Sequence, residues 1–256
     1  MSNFKPLAAP GNLIYIYDGS FPGFLCCVFE SVYSAILPLD IFPKDAPLTL
    51  FDTKFITTDN EKAERVRNSI SAKISERALT LVCTVFLSCL EQKELKLLKF
   101  LLQAYREGKK MLYKLGDPLA APILAAEKNL LGEAHLLRGF VRFSDIGNGL
   151  ISVITPKNYV LPFIAGHFIL RYRDENFMIY DKTHKSALLY QDGKYEILQI
   201  ENLEVPKVSE KEIMYQTLWK QFYKTISIES RENPRCRMTH MPKRYWENML
   251  EVKDLL

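Results

Sequence analysis

The hydrophobic pattern changes character near Arg138. Before it, apolar residues recur mostly at helical spacing; after it, short runs bounded by glycine turns alternate with helical segments. That change constrains the fold more than anything else. It predicts an α+β chain: a helix-rich subdomain over 1–137, and an α+β subdomain over 138–256.

The first half opens with a strand, Leu13 to Tyr17, turned at Asp18-Gly19. "FPGFLCCVFESVYSAI" then reads as a helix with Phe24, Val28 and Val32 on one face. Pro38, Pro43 and Pro47 predict a loop-like stretch. Asp59 is placed to cap "NEKAERVRNSISAKI". Helices are expected at Glu76–Leu90 and Gln92–Leu115, and after Gly116-Asp117-Pro118 another to about Arg138.

In the second half, "GFVRFSDIGNGLISVIT" predicts a hairpin and "YVLPFIAGHFILRY" a helix. "NFMIYD", "SALLY" and "KYEILQI" predict three strands, the last two joined at Asp192-Gly193. The result is ββαβββ, an antiparallel sheet with one packed helix. A polar linker with Pro206 leads to a C-terminal helix and a basic tail. Tyr215, Trp219, Phe222, Tyr223 and Ile226 fall at helical spacing there, and the expectation is that this stripe packs into the core.

Charge is distributed unevenly. The net charge is +4. The tail "RENPRCRMTHMPKRYW" has five cations, Arg231, Arg235, Arg237, Lys243 and Arg244, against one acid, Glu232. The tail thus holds the whole excess and the rest of the chain is neutral. A local patch attracts phosphate or an acidic partner better than diffuse charge does. With Asn233, Tyr245 and Trp246 beside the cations, the segment suits phosphate contact plus stacking on a base. The alternative is that Tyr245 and Trp246 fold back as a structural lid while the arginines pair with acids.

"YDGSFPGF", with Tyr17, Asp18, Gly19, Ser20, Gly23 and Phe24, is a strand, a turn and a helix start. Free backbone N–H groups there can receive an anion. It lacks the lysine and spacing of a phosphate loop, so a capped helix start is the plainer reading. Asp18, His167 and Asp181 are the acid–base candidates of an enzymatic alternative. His167 shares a helical face with Val160, Ile164 and Phe168, a common setting for a core histidine. His135 and Glu133 lie on one helix, but no second ligand pair has metal spacing; His184 and His240 are isolated, and no metal is predicted.

Two stretches carry a family resemblance: "YDGSFPGFLCCVFE", and the tail pattern of Arg231, Asn233, "MPKRYW" and the acid Glu251. "EAHLLRGFVRF" and "VLPFIAGHFILRY…FMIYD" agree with it. The sequence resembles a bacterial family of DNA-metabolism proteins with no assigned chemistry. Its members are typically encoded beside a radical S-adenosylmethionine protein of DNA repair or modification. In some relatives the domain is fused to a uracil-DNA-glycosylase-like domain. Ser230 stands where the family favours glutamate, and Arg237 where glutamine is common. The resemblance implies an accessory role with DNA or another nucleic acid and a radical S-adenosylmethionine protein as partners.

The five cysteines form no cluster-binding set, so no cofactor is expected and the protein should be colourless and free of iron. Cys26, Cys27, Cys83 and Cys89 lie in apolar runs and read as buried thiols. No secretory or membrane-spanning segment is apparent, which predicts a cytoplasmic protein without membrane contact. A protein adapter that never touches nucleic acid is the remaining alternative.

Overall fold

A computed structural model describes residues 9–45, 50–204 and 208–255. Pro47 and Pro206 of the expected loop and linker lie outside them. The chain forms two compact units, Met1–Leu130 and Leu131–Leu256. The boundary falls inside a helix that the sequence ends near Arg138.

The first unit is mostly helical, as the pattern predicts, but it also holds parallel strands. β1 (Ala9–Pro10) and β2 (Leu13–Tyr17) lead into α1 (Phe21–Ser34). β3 (Ile36–Leu37), β4 (Asp40–Pro43) and β5 (Asp52–Phe55) follow. β1 pairs with β3. β2 is the centre of a three-stranded parallel sheet in the order β4-β2-β5. The proline-rich stretch is therefore not simply a loop. Pro43 closes β4, an edge strand, where a missing N–H costs no sheet bond.

α2 (Asn60–Lys73) starts at Asp59, whose carboxylate accepts from the N–H groups of Glu61 and Lys62. α3 (Glu76–Phe86) and α4 (Lys93–Glu107) end earlier than the sequence predicts, and a 3₁₀ turn over Gly108–Tyr113 continues α4. α5 (Ala120–Phe140) closes the unit and contains its boundary. The core gathers Tyr15, Phe24, Cys27, Ile70, Leu81, Leu98 and Phe100. Cys26 and Cys27 are buried, whereas Cys83 is half-buried and Cys89 exposed, which corrects the expectation for those two.

The second unit holds a five-stranded sheet in sequential order. β6 (Ser144–Asp145) and β7 (Leu150–Ile154) form the hairpin around Gly147. α6 (Leu161–Arg171) then crosses to β8 (Phe177–Asp181). A helical crossover returns the chain to the same end of the sheet, so β7 and β8 run parallel. The other three pairings are antiparallel, and the expected antiparallel sheet is corrected at that one place. β9 (Ser186–Gln191) and β10 (Lys194–Gln199) are joined by Asp192-Gly193, both at positive φ, as a tight hairpin demands.

α7 (Glu210–Ile226) and α8 (Pro234–His240) follow, with a 3₁₀ turn over Lys243–Asn248. One face of the sheet, with Ile154, Phe177, Ile179, Leu188 and Tyr190, packs with α6, Tyr245 and Trp246. No helix among the described residues is long and apolar enough to cross a membrane.

Candidate functional site

The Asp18 turn is built in the first unit, at the end of β2. Tyr17 is buried and its hydroxyl donates to Glu94 Oε1 at 2.9 Å. Burial, and then the adjacent Glu94 carboxylate, push that phenol far above its ordinary range. Asp18 is exposed, yet both carboxylate oxygens are engaged. Oδ1 accepts from the Ser20 backbone N–H at 2.9 Å and from Ser20 Oγ at 2.7 Å, and Oδ2 accepts from Thr58 Oγ1 at 2.7 Å. Ser20 Oγ in turn accepts from Gly23 N, which caps α1.

Partial burial works against the charge of Asp18. The hydrogen bonds from Ser20 and Thr58 outweigh it, and the carboxyl is held below its usual range. A Cβ on residue 23 would stand 2.2 Å from Asp18 Oδ1, so only glycine fits. Gly19 has φ +83°, the left-handed turn the chain needs there. Phe24 is core. The motif is thus a clasp between strand, helix and Thr58. It holds Asp18 ionised, a state in which it can accept a proton but not donate one.

His167 and Asp181 both lie in the second unit, but no hydrogen bond joins them among the described residues. His167 is half-buried, with Nε2 enclosed and unpartnered. Burial, then the nearby Arg138 and Arg171, lower its pKa. Asp181 is fully buried at the end of β8 and accepts from the N–H groups of Thr183 and His184. Its Oδ2 lies 2.6 Å from His184 Nδ1, so His184, isolated in sequence, is the partner of Asp181. Asp18 belongs to the other unit.

The tail divides into two parts. Arg231, Asn233 and Arg235 are exposed. Asn233 caps α8 by accepting from Cys236 N at 2.9 Å. Arg237 pairs with Glu232 at 3.5 Å. Among the described residues, Arg231, Arg235 and Lys243 have no carboxylate partner; Lys243 instead stands 5.6 Å from the centre of the Trp246 ring.

The second part is core. Tyr245 is 3% exposed and Trp246 4%, so neither ring offers a face to a base, and the stacking role expected of them is corrected. Trp246 Nε1 donates to Met241 O at 2.8 Å. The Tyr245 hydroxyl donates to Glu133 Oε1 at 3.0 Å, and burial, the first cause, pushes that phenol up to about 12.

Two buried carboxylates fasten this part. Glu133 accepts from the N–H groups of Lys157 and Asn158, from Asn158 Nδ2 and from Tyr245, and Arg244 reaches it at 3.4 Å. Glu251 accepts both arms of Arg142, Nη2 at 2.5 Å and Nε at 3.3 Å, and the Trp219 indole at 3.3 Å. Burial alone would raise the Glu251 carboxyl; the Arg142 hydrogen bonds outweigh it and hold it low. From the sequence, Glu251 enters only as the acid of the tail pattern and Glu133 only beside His135; neither is expected to fasten the tail. Glu133 could have been found from its place one turn after Leu130 and one before Leu137, since a charge on an apolar helix face signals a buried partner.

α7 carries a further correction. Tyr215 is 52% exposed, Trp219 42%, Phe222 53% and Ile226 57%, so the stripe expected in the core is largely uncovered. Tyr223 is half-buried. Ile213, Met214 and Leu218 are also exposed. A groove between α7 and Val141, Phe143, Tyr172 and Leu250 runs along the helix within the unit.

No curated protein and no solved structure matches the chain. One family model does, over residues 91–251, from the start of α4 to Glu251. That segment includes Glu133, Arg142, Tyr245, Trp246 and Glu251, and leaves the Asp18 clasp outside. The match covers more than half of the chain, which therefore belongs to the family of the domain of unknown function DUF4130.

Proposed function

We propose that the protein is an accessory component of DNA repair or modification. It binds nucleic acid through phosphate contacts and works with a protein partner, which the resemblance makes a radical S-adenosylmethionine enzyme. The observation that carries this is the state of the tail cations. Among the described residues, Arg231, Arg235 and Lys243 stand without carboxylate partners on a segment whose end is pinned in the core by Tyr245, Trp246 and Glu251. Cations free of internal ion pairs are available to phosphate, and a pinned segment loses less entropy on binding. Specificity by base stacking on Trp246 is not part of the reading.

The test is fluorescence anisotropy of a short labelled single strand over a salt series. Each contacted phosphate contributes a log–log slope of about −0.7. Changing Arg231 and Arg235 together to alanine should flatten the slope by about 1.4 with the melting temperature unchanged. An unchanged slope, or no binding at low salt, removes nucleic acid from the reading.

The second reading is a protein adapter without nucleic-acid contact. The uncovered apolar face of α7 favours it, because large exposed patches mark interaction surfaces. A pull-down of the radical S-adenosylmethionine protein, with and without nuclease, separates the two. Capture that survives nuclease and fails with Leu218→Ser supports a direct α7 contact. The enzymatic alternative with Asp18, His167 and Asp181 has the least support, since Asp18 is committed to the clasp and Asp181 to His184 and a turn.

A further inference from the structure

A second binding feature lies wholly within the first unit, between α1 and α2, and is closed at one end by α4. It encloses about 500 Å³, within the usual range of small-molecule sites. Its α1 wall is aromatic. Phe29 and Tyr33 stack with ring centres 5.3 Å apart and planes 15° from parallel, and Tyr33 is 75% exposed. Its α2 wall presents Arg65, Ser69 and Lys73 at i, i+4 and i+8, one face of the helix. Ser69 and, from α4, Tyr105 complete the lining at that end. Val32, expected in the core by periodicity, lines this space instead and is exposed.

Charge at the rim has one sign. Arg65 and Lys73 line the pocket; among the described residues no acid does, and neither cation pairs with a carboxylate. The Arg65 guanidinium also lies 5.5 Å from the centre of the Phe29 ring. Most of the remaining lining is apolar, with Asn68 adding a polar group. An aromatic wall, apolar floor and paired cations are complementary to one kind of small molecule. The ring of such a ligand replaces water over Tyr33, and its anion is met by Arg65 and Lys73.

We infer that this pocket binds a planar aromatic anion, a ring system carrying a phosphate or sulfonate. A nucleoside monophosphate and a free aromatic acid share that chemistry. The proposal does not depend on the tail, which lies in the other unit, so either can fail alone.

Isothermal titration calorimetry on the full chain tests it, with AMP, 2-naphthalenesulfonate, adenosine and inorganic phosphate as probes. AMP or the naphthalenesulfonate should bind, and the one that binds identifies the class. Adenosine and phosphate should each bind at least about tenfold more weakly than the winning anion, the share of one charge-assisted hydrogen bond or one stacked ring. Arg65→Ala and Lys73→Ala should each weaken binding about tenfold. Both sites are exposed, so an unchanged melting curve is expected. Val32→Trp, also at an exposed site, should block entry.

Failure of both aromatic anions to bind at millimolar concentration overturns the inference. So does equal affinity for phosphate alone, which marks a mere cationic surface, or for adenosine, which removes the anion. Wild-type affinity in the Arg65→Ala and Lys73→Ala variants overturns it as well. Retained affinity in Val32→Trp places the ligand elsewhere and has the same consequence.

Discussion

Two groups of aromatic side chains in the second unit meet opposite fates. The α7 group, Tyr215, Trp219 and Phe222, has helical spacing and is largely exposed. The tail pair, Tyr245 and Trp246, sits among cations and is buried. The difference lies in what covers each ring: Tyr245 and Trp246 pack against the sheet and α6, and the α7 rings do not. Tyr245 donates to buried Glu133, and Trp246 to the carbonyl of Met241, so both rings enter the core with their polar groups satisfied. Trp219 reaches Glu251 only with the edge of its indole, and the ring stays at the surface. Periodicity brings aromatic rings to one side of a helix, but a ring is buried only when something covers that side.

The sharpest way to break this comparison is at Trp246. Trp246→Ala should destabilise the protein by about 3–5 kcal/mol, the cost of emptying a core aromatic site. Chemical denaturation followed by circular dichroism measures it; a loss below about 1 kcal/mol would mean the ring is not core. Glu133→Gln comes next. It keeps the shape but turns an acceptor of several N–H and O–H groups into an amide, and should cost about 2–3 kcal/mol. Wild-type stability in that variant would show that the tail is held by its rings alone.

Glu251 sharpens the comparison through pH. Its folded carboxyl lies below the ordinary 4.5, so its contribution is complete above that value and is lost as pH falls through the folded value. Glu251→Gln should cost about 2 kcal/mol at pH 7 and progressively less in acid. A gap that stays constant down to pH 3 would refute the ion pair with Arg142. His167 acts in a different window and more weakly. Its folded pKa lies below the ordinary 6.5, so on acidification the unfolded chain takes up a proton first and stability falls below about pH 6.5. His167→Gln should remove that small slope from the stability–pH profile.

The smallest effect belongs to α7. Leu218→Ser should alter stability by no more than about 0.5 kcal/mol, because the side chain is already exposed. A large loss there would mean that α7 is part of the core and that the contrast with the tail is false.

Much of the secondary structure was legible in the sequence, and for local reasons. Asp59 and Ser20 are caps, Asp192-Gly193 is a tight turn, and the β6–β7 hairpin closes on Gly147. The parallel sheet of the first unit was not legible. β4 and β5 are four residues each, β5 is exposed throughout, and both take their pairing from β2, more than twenty residues away. Of the candidate site, the excess of cations in the tail was plain from the start. Which cations lack a carboxylate among the described residues was not, because the sequence does not say that Arg244 meets Glu133 and Arg237 meets Glu232.

The order of residues alone sets the two-part α+β organisation, the helix caps and turns, the requirement for glycine around Asp18, and the concentration of positive charge from Arg231 onward. Each depends on residues close together in the chain, where sterics and hydrogen bonding act at short range. Only the folded chain shows that Tyr245 and Trp246 are buried and the α7 rings are not, and that the face of α2 bearing Arg65 and Lys73 meets the stacked rings of α1. Burial and pairing depend on which distant segment comes to lie against a residue, and spacing along one segment does not contain that information.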